Sequence, residues 1–444
     1  AFGQLRFLIW QVPLAYGNDS PSAVLWIRKI QAGALQFVLF VGVVIAMLLL
    51  SFVLVSHTHG HFQKKTDSTI EVIRAADLAL QKSFSETVEK GQTKNISLDN
   101  SLGIETEVSS TLWGLLELRK VKAKKASYTF EKLAFSGHSA DQRPALYLKD
   151  NQRPLVLAGH TRIQGTAYLP ERGVKMGNIH GNSYSAPQLI YGGKKQSQGE
   201  LPQLSKNIKG QMDLLSKTNF VPKGETVRLK RDMVLKNSFK EGTKVIQGDF
   251  IELGDITLMG TIIVWASHSI RVKASSNLRD ILLLAPTIKI ENRTKGNFQA
   301  FANSSIRIGK GAELAYPTVL ALKTVGHDDA RNQSPEPNIL LDSNAQVRGI
   351  VLYEDTSEPN RFKPHIKIEE HAKVYGEVYS TQNVELKGSV FGSLTAAGFV
   401  AVENGNIYQN HIYNGRINSG LLPLEYAGLT YQNTVSNQVA KWVY

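Results

Sequence analysis

An apolar-x-apolar triplet that returns at a fixed step constrains this chain more than any other feature. Ile270-Arg271-Val272, Ile288-Lys289-Ile290 and Ile306-Arg307-Ile308 follow one another at an even spacing. Ile366-Lys367-Ile368 and Val384-Glu385-Leu386 repeat that step, and Val400-Ala401-Val402 follows after a slightly shorter one. A second column, Trp265, Leu283, Phe301 and Val319, keeps the same spacing as the first three triplets. Alternation within a triplet marks a short strand with one buried face. With a period below about 20 residues, each turn of chain buries its apolar face only against the next turn stacked on it. The expected fold is mainly β: a parallel β-helix, or solenoid, over 154–402, with insertions at about 185–223, 325–338 and 354–364.

Ahead of the repeats lies a stretch from Ile30 to Gln63 without Asp, Glu, Lys or Arg. As a helix, Ala32 to Val55 is about 36 Å long at about 1.5 Å per residue, enough for a hydrocarbon core of about 30 Å. A single N-terminal transmembrane helix is therefore expected within 30–60. The apolar run is too long for a cleavable signal peptide, and no small-x-small site follows it. Arg28 and Lys29 before it nearly balance Lys64, Lys65 and Arg74 after it, so charge orients it weakly. A short head and a large translocated tail favour a cytoplasmic N-terminus. Residues 1–29, with Trp10, Tyr16 and Trp26, suit a membrane-interface segment. Residues 61–97 are expected to extend the helix outward, with a stripe of Ile70, Ile73, Leu80 and Phe84 and a stop at Gly91.

The 444 residues include no cysteine, which excludes disulfide scaffolds, thiolate metal sites and cysteine nucleophiles. The net charge of +13 suits a solvated basic surface close to anionic lipid or glycan. No nucleic-acid-binding motif accompanies it, so nucleic acid is not an expected partner. His57, His59 and His61 read as a polar cuff at the membrane exit; residues two apart on a helix point away from each other, and only an extended segment would align all three on a metal. His327-Asp328-Asp329 lacks a second cluster, and Gly192-Gly193-Lys194-Lys195 lacks the phosphate-loop spacing. No metal or cofactor is expected.

Between helix and repeats, 98–153 reads as a small transition module with a strand pair and a basic run at Arg119, Lys120, Lys122, Lys124 and Lys125. Ile163-Gln164-Gly165 recurs one turn later as Ile179-His180-Gly181, so the repeats are expected to begin here. The 185–223 insertion, with a helix from Leu201 to Leu215, is expected to project from one face. The 403–444 tail, with Tyr408, Tyr413, Tyr426 and Tyr431, is expected to cap the final strand edges.

The outward middle positions Arg271, Lys289 and Arg307 form a basic ladder, a candidate stripe for an anionic ligand such as a glycan. Clustered carboxylates for acid-base chemistry are not visible beside it, and no hydrolase or zinc-protease motif appears. The chain is therefore expected not to be an enzyme.

Two resemblances add to this reading. Gly33-Ala34-Leu35, running through the apolar helix into Arg74-Ala75-Ala76-Asp77-Leu78-Ala79-Leu80, resembles the entry segment of minor pilins of the PilX or GspK type, although Val38 stands where major pilins carry glutamate. Val374-Tyr375-Gly376-Glu377-Val378-Tyr379-Ser380 recurs as Val390-Phe391-Gly392-Ser393-Leu394-Thr395-Ala396. That pattern is similar to the repeats of bactofilins, the polymer-forming β-helical proteins of bacteria. The expectation is a membrane-anchored structural or scaffold subunit of a bacterial cell-envelope assembly. It would cross the inner membrane once, carry its large C-terminal domain in the periplasm, and meet membrane lipid and other envelope subunits. The alternatives are a bactofilin-like polymer at the membrane, a minor pilin-like component of a secretion or pilus machine, and a polysaccharide-active β-helix enzyme.

Overall fold

The computed structural model describes residues 32–86, 88, 90–98, 103–139, 143–217, 220–324, 336–357, 362–432 and 437–443. The expected interfacial segment at 1–29 and the His327 group lie outside them. The chain divides into two compact units, Ala1–Asp67 and Ser68–Tyr444.

In the first unit, helix α1 begins at Ala32; it runs to Phe84 and so crosses the boundary. Among the described residues it is the one helix long and apolar enough to cross a membrane. Two hydroxyls in this stretch pair with the helix backbone: Ser51 donates to the Met47 carbonyl at 2.8 Å and Thr58 to that of Leu54 at 2.7 Å. The helix stops at Phe84, short of the expected limit at 97. Ser83 and Ser85 donate to the carbonyls of Leu80 and Lys82, fastening the last turn. Beyond it, Thr93–Asn95 pairs as an edge strand with 107–109.

In the second unit, short strands stack in parallel register into three ladders. Ladder A holds the triplets: Ile251 beside Ile270, then Ile288, Ile306, Ile339, Ile366 and Val384. Ladder B passes through Val245, Ile263, Leu282, Gln299, Val319, Ile350, Glu377 and Ser393. Ladder C passes through Leu235, Leu258, Leu278, Gly296, Leu314, Val347, Val374 and Val390. The chain visits C, B and A in turn and repeats. The inward residues of all three share one core.

The stacking order is not the chain order. After 389–396, ladder B continues with Leu146–Leu148, then Ala167–Leu169 and Lys194–Gln196. Ladder C continues with Arg416–Asn418 and then Arg162–Gln164. Beside them His411–Tyr413 pairs with 156–158, and 155–157 with Val174–Met176. Segments from both sides of the long repeat therefore interleave to complete the stack, and the chain returns through 198–224 to start it at Glu225–Thr226.

Ladder B is apolar on both faces, as runs such as Leu282-Leu283-Leu284 require. Its outer face, with Ile263, Leu282, Phe301, Ile350 and Leu352, is covered by helix α2, Lys206–Leu215, and by an antiparallel sheet. That sheet is a meander of Glu105–Trp113, Leu116–Lys125 and Tyr128–Ser139, joined on one edge by Ala427–Gly428 and Asn437–Val443. Its far face packs against the last turns of α1 through Val72, Ala75, Ala76, Ala79 and Leu80.

Several expectations need correction. The buried stripe of α1 is rotated from the expected one: Ile70 is 40% exposed, whereas Ala76 and Ala79 are fully buried, because small side chains let the helix approach the sheet closely. The strand pair expected in 98–153 is a three-stranded meander whose outer edge is supplied by the C-terminus. The helix expected over 201–215 starts at Lys206, capped by Ser205, and lies on ladder B rather than projecting from the body. Trp265, Leu283, Phe301 and Val319 do not form one column. Trp265 pairs with Leu284 and Leu284 with Phe301, since bulges between ladders C and B shift the register. Leu283 faces the inner core instead. Val384 pairs with Phe399, and 400–403 turns back as a hairpin on Asn406–Gln409. Ile179-His180-Gly181 is no repeat of Ile163; it forms a tight hairpin, with His180 and Gly181 at positive φ.

Candidate functional site

Arg271, Lys289 and Arg307 come together as the sequence spacing implies, in direct parallel register on the outer face of ladder A. Adjacent strands lie about 4.8 Å apart, so three bare cations here would repel. Carboxylates flank two of them. Arg271 stands 3.9 Å from Glu252 and 4.0 Å from Glu291, and Glu252 also pairs with Lys273. Arg307 donates to the Pro337 carbonyl at 2.6 Å and meets Glu336 at 3.2 Å. Burial holds the Arg307 guanidinium below its ordinary pKa, against the pull of Glu336. Lys289 is exposed and has no carboxylate partner among the described residues.

Further along the same row, Lys367 pairs with Glu385 in register, with apolar Leu340 between Arg307 and Lys367. Glu385 is 1% exposed and lies 3.6 Å from Lys367 and 3.5 Å from Lys387. Burial pushes its carboxyl above the usual range, against those two cations. Burial pulls on Lys387 as well, but Glu403, at 2.6 Å, and Glu385 outweigh it and raise its pKa. The row is thus an alternating ion-pair network at one end and a partly neutralised basic stretch at the other.

A second charged centre escaped the sequence reading because its members are scattered along the chain. Glu377 points outward from ladder B, beside Ile350 and Ser393, into the layer beneath the antiparallel sheet. Arg143, just beyond the last meander strand, forms an ion pair with it, and the two side chains are 6% and 1% exposed. Arg143 also donates to the carbonyls of His138 at 2.8 Å and Ser139 at 3.0 Å. Glu377 accepts the Leu429 amide at 3.0 Å and the Tyr431 hydroxyl at 3.3 Å. Tyr316 donates to the Ala427 carbonyl at 2.7 Å. Burial pushes the hydroxyls of Tyr316, Tyr426 and Tyr431 up, which keeps them protonated as donors. Burial lowers Arg143, but Glu377 more than compensates and its pKa is raised. These donors meet their partners within the fold, so the chemistry is that of a fastening between ladder B, the meander and the C-terminal segment.

One further constellation was not evident in the sequence. The Ser267 hydroxyl donates to Asp249 at 2.5 Å and contacts His268 Nδ1 at 2.9 Å, while His268 stacks on Phe250 at 4.7 Å. A nucleophilic triad places histidine between serine and carboxylate. Here serine is the middle member and gives its proton to the carboxylate, so the imidazole has none to take.

His57, His59 and His61 all lie on α1 and are exposed. Among the described residues no group of three or more His, Cys, Asp and Glu side chains is placed to hold a metal ion. No protein family, curated protein or solved structure matches the chain.

Proposed function

We propose that the three ladders are the faces of a parallel β-helix, and that the chain is a membrane-anchored structural subunit of a bacterial cell-envelope assembly. In this reading α1 crosses the inner membrane once, the β-helix stands in the periplasm, and its surfaces dock other envelope subunits. The observation that carries the proposal is the use made of buried charge. Arg143, Glu377 and Glu385 all hold segments of the fold together, and none faces an open cleft as a catalytic group does. Interleaving of 144–198 with 411–418 leaves one end of the stack without a clean terminal turn, which weighs against an end-to-end polymer.

The chain has no cysteine, so a single one can report location. Ala274 is exposed in the turn after a ladder A strand. In Ala274→Cys cells whose outer membrane has been opened, a membrane-impermeant thiol reagent is expected to label the protein. Labelling only after lysis would place the body in the cytoplasm, overturn this reading and favour the bactofilin-like polymer.

A further inference from the structure

The two ends of the stack differ. At the end formed by Lys194–Gln196, Tyr184 and Ile190 close over the core and are 8% and 4% exposed. At the other end no described residue closes over the first turn. Among the described residues Glu225–Thr226 pairs only with 244–245, and Val234–Asn237 only with Thr257–Gly260. Its apolar side chains Val227, Leu229, Met233 and Leu235 are partly buried. In later turns Leu258, Leu278 and Leu314 take the place of Leu235 and are 1% exposed or less. A solenoid end in this state leaves both core and backbone uncovered.

The direction of the unpaired backbone follows from the pairing. The Met233 carbonyl accepts the Thr257 amide at 2.8 Å. Backbone groups alternate sides along a strand, so those of Val234 and Lys236 face the open edge. Around this edge Arg228, Lys230, Arg231, Lys236 and Lys240 are exposed, and none has a carboxylate partner among the described residues. Glu225, Asp232 and Glu241 leave the segment net positive. The opposite end carries exposed Lys175, Lys194 and Lys195, so a second copy stacked end to end would set cations against cations.

We infer that the open turn at 225–237 receives an extended acidic segment of a different protein as an added turn of the stack, paired as a strand along 234–237. Alternate apolar residues of that segment cover Val227, Leu229 and Leu235, and its carboxylates meet Arg228, Lys230 and Arg231. The inference rests on strand pairing and charge, and holds on either side of the membrane.

The test uses the full chain in detergent and a short peptide of alternating Glu and Val, with a Lys-Val peptide as control. Saturable binding of the acidic peptide is expected, together with slowing of amide exchange at Val234 and Lys236 by about tenfold or more, as strand pairing requires. Arg228→Glu with Lys230→Glu is expected to weaken binding by about tenfold or more. Val234→Pro, which removes an outward amide without changing charge, is expected to weaken it too. Absence of binding, equal binding of the Lys-Val peptide, or binding that leaves both amides exchanging freely would overturn the inference. The last result is what a purely electrostatic attachment, such as to anionic lipid, produces.

Discussion

Leu146 and Leu394 stand side by side in parallel register on ladder B, although most of the repeat separates them in sequence. Both are fully buried. Their pairing makes 144–198 a continuation of 389–418, so residues from before and after the long repeat finish one stack. The C-terminal segment then crosses back, and Asn437–Val443 pairs with the meander strand Tyr128–Ser139. Unfolding any one of these segments exposes the edge of another, so the second unit should unfold cooperatively.

The Arg143–Glu377 pair should show the asymmetry of buried ion pairs. Arg143→Met leaves a buried carboxylate without its cation and is expected to cost about 3–5 kcal/mol. Adding Glu377→Met should recover much of that loss. Chemical denaturation of the two single variants and the double variant measures the coupling; simple additivity would contradict the assignment.

Gly349, Gly376 and Gly392 form a column with φ near +145°, at 144°, 146° and 148°. A Cβ on Gly376 would overlap the Gly349 carbonyl oxygen and crowd the Tyr426 hydroxyl, which donates to that same carbonyl at 3.1 Å. Gly376→Ala is expected to lower stability by about 2–4 kcal/mol through strain and loss of this contact. Unfolding midpoints that match the parent would show that the C-terminal segment does not lie on this column.

His365 is 1% exposed, and burial, aided by Lys363, lowers its pKa to about 4. A depressed histidine pKa favours the folded state above the unfolded value of about 6.5, and that contribution is lost as pH falls towards 4. The integrated effect is about 3 kcal/mol. Denaturation at neutral pH and at mildly acid pH should show the loss, and His365→Gln should remove this part of it. An NMR titration placing His365 near its ordinary pKa would refute the prediction.

Close approach of α1 to the meander depends on Ala75, Ala76 and Ala79. Ala76→Leu should cost about 1–3 kcal/mol by overpacking. A change of side-chain size at exposed Leu78, as Leu78→Ala, should be nearly neutral. Equal effects at the two positions, measured by thermal unfolding, would contradict the packing face.

How much of this was readable in the sequence can be traced residue by residue. Ile270, Ile288 and Ile306 stand in register because period-two alternation on a face buried on one side fixes the strand phase. Val374 and Val390 do so for the same reason. Trp265, Leu283, Phe301 and Val319 misled, because ladder B is buried on both faces and apolarity there no longer marks which way a side chain points. The ladder of Arg271, Lys289 and Arg307 was legible, but its counter-charges Glu252 and Glu336 come from neighbouring strands and a loop. Arg143, Glu377 and Tyr431 were invisible as a site, since a single sequence gives no signal for contacts closed by chain reversal. The stacking of 144–198 on the C-terminal turns was hidden likewise: Ile163 found its partner in Ile417, while the apparent echo at Ile179 lies in a hairpin.

The interleaved stack is tested most directly by engineered disulfides in this cysteine-free chain. Arg162 and Arg416 are paired neighbours on the outer face of ladder C, and both are exposed. Paired strands set Cα atoms about 5 Å apart, within reach of a disulfide. Arg162→Cys with Arg416→Cys is predicted to oxidise almost completely in the folded protein. Gln164→Cys with Lys236→Cys, which would join 144–198 to the opposite end of the stack, is predicted to stay reduced. The reverse result, with the second pair linked and the first free, would contradict the order of strands on which this account rests.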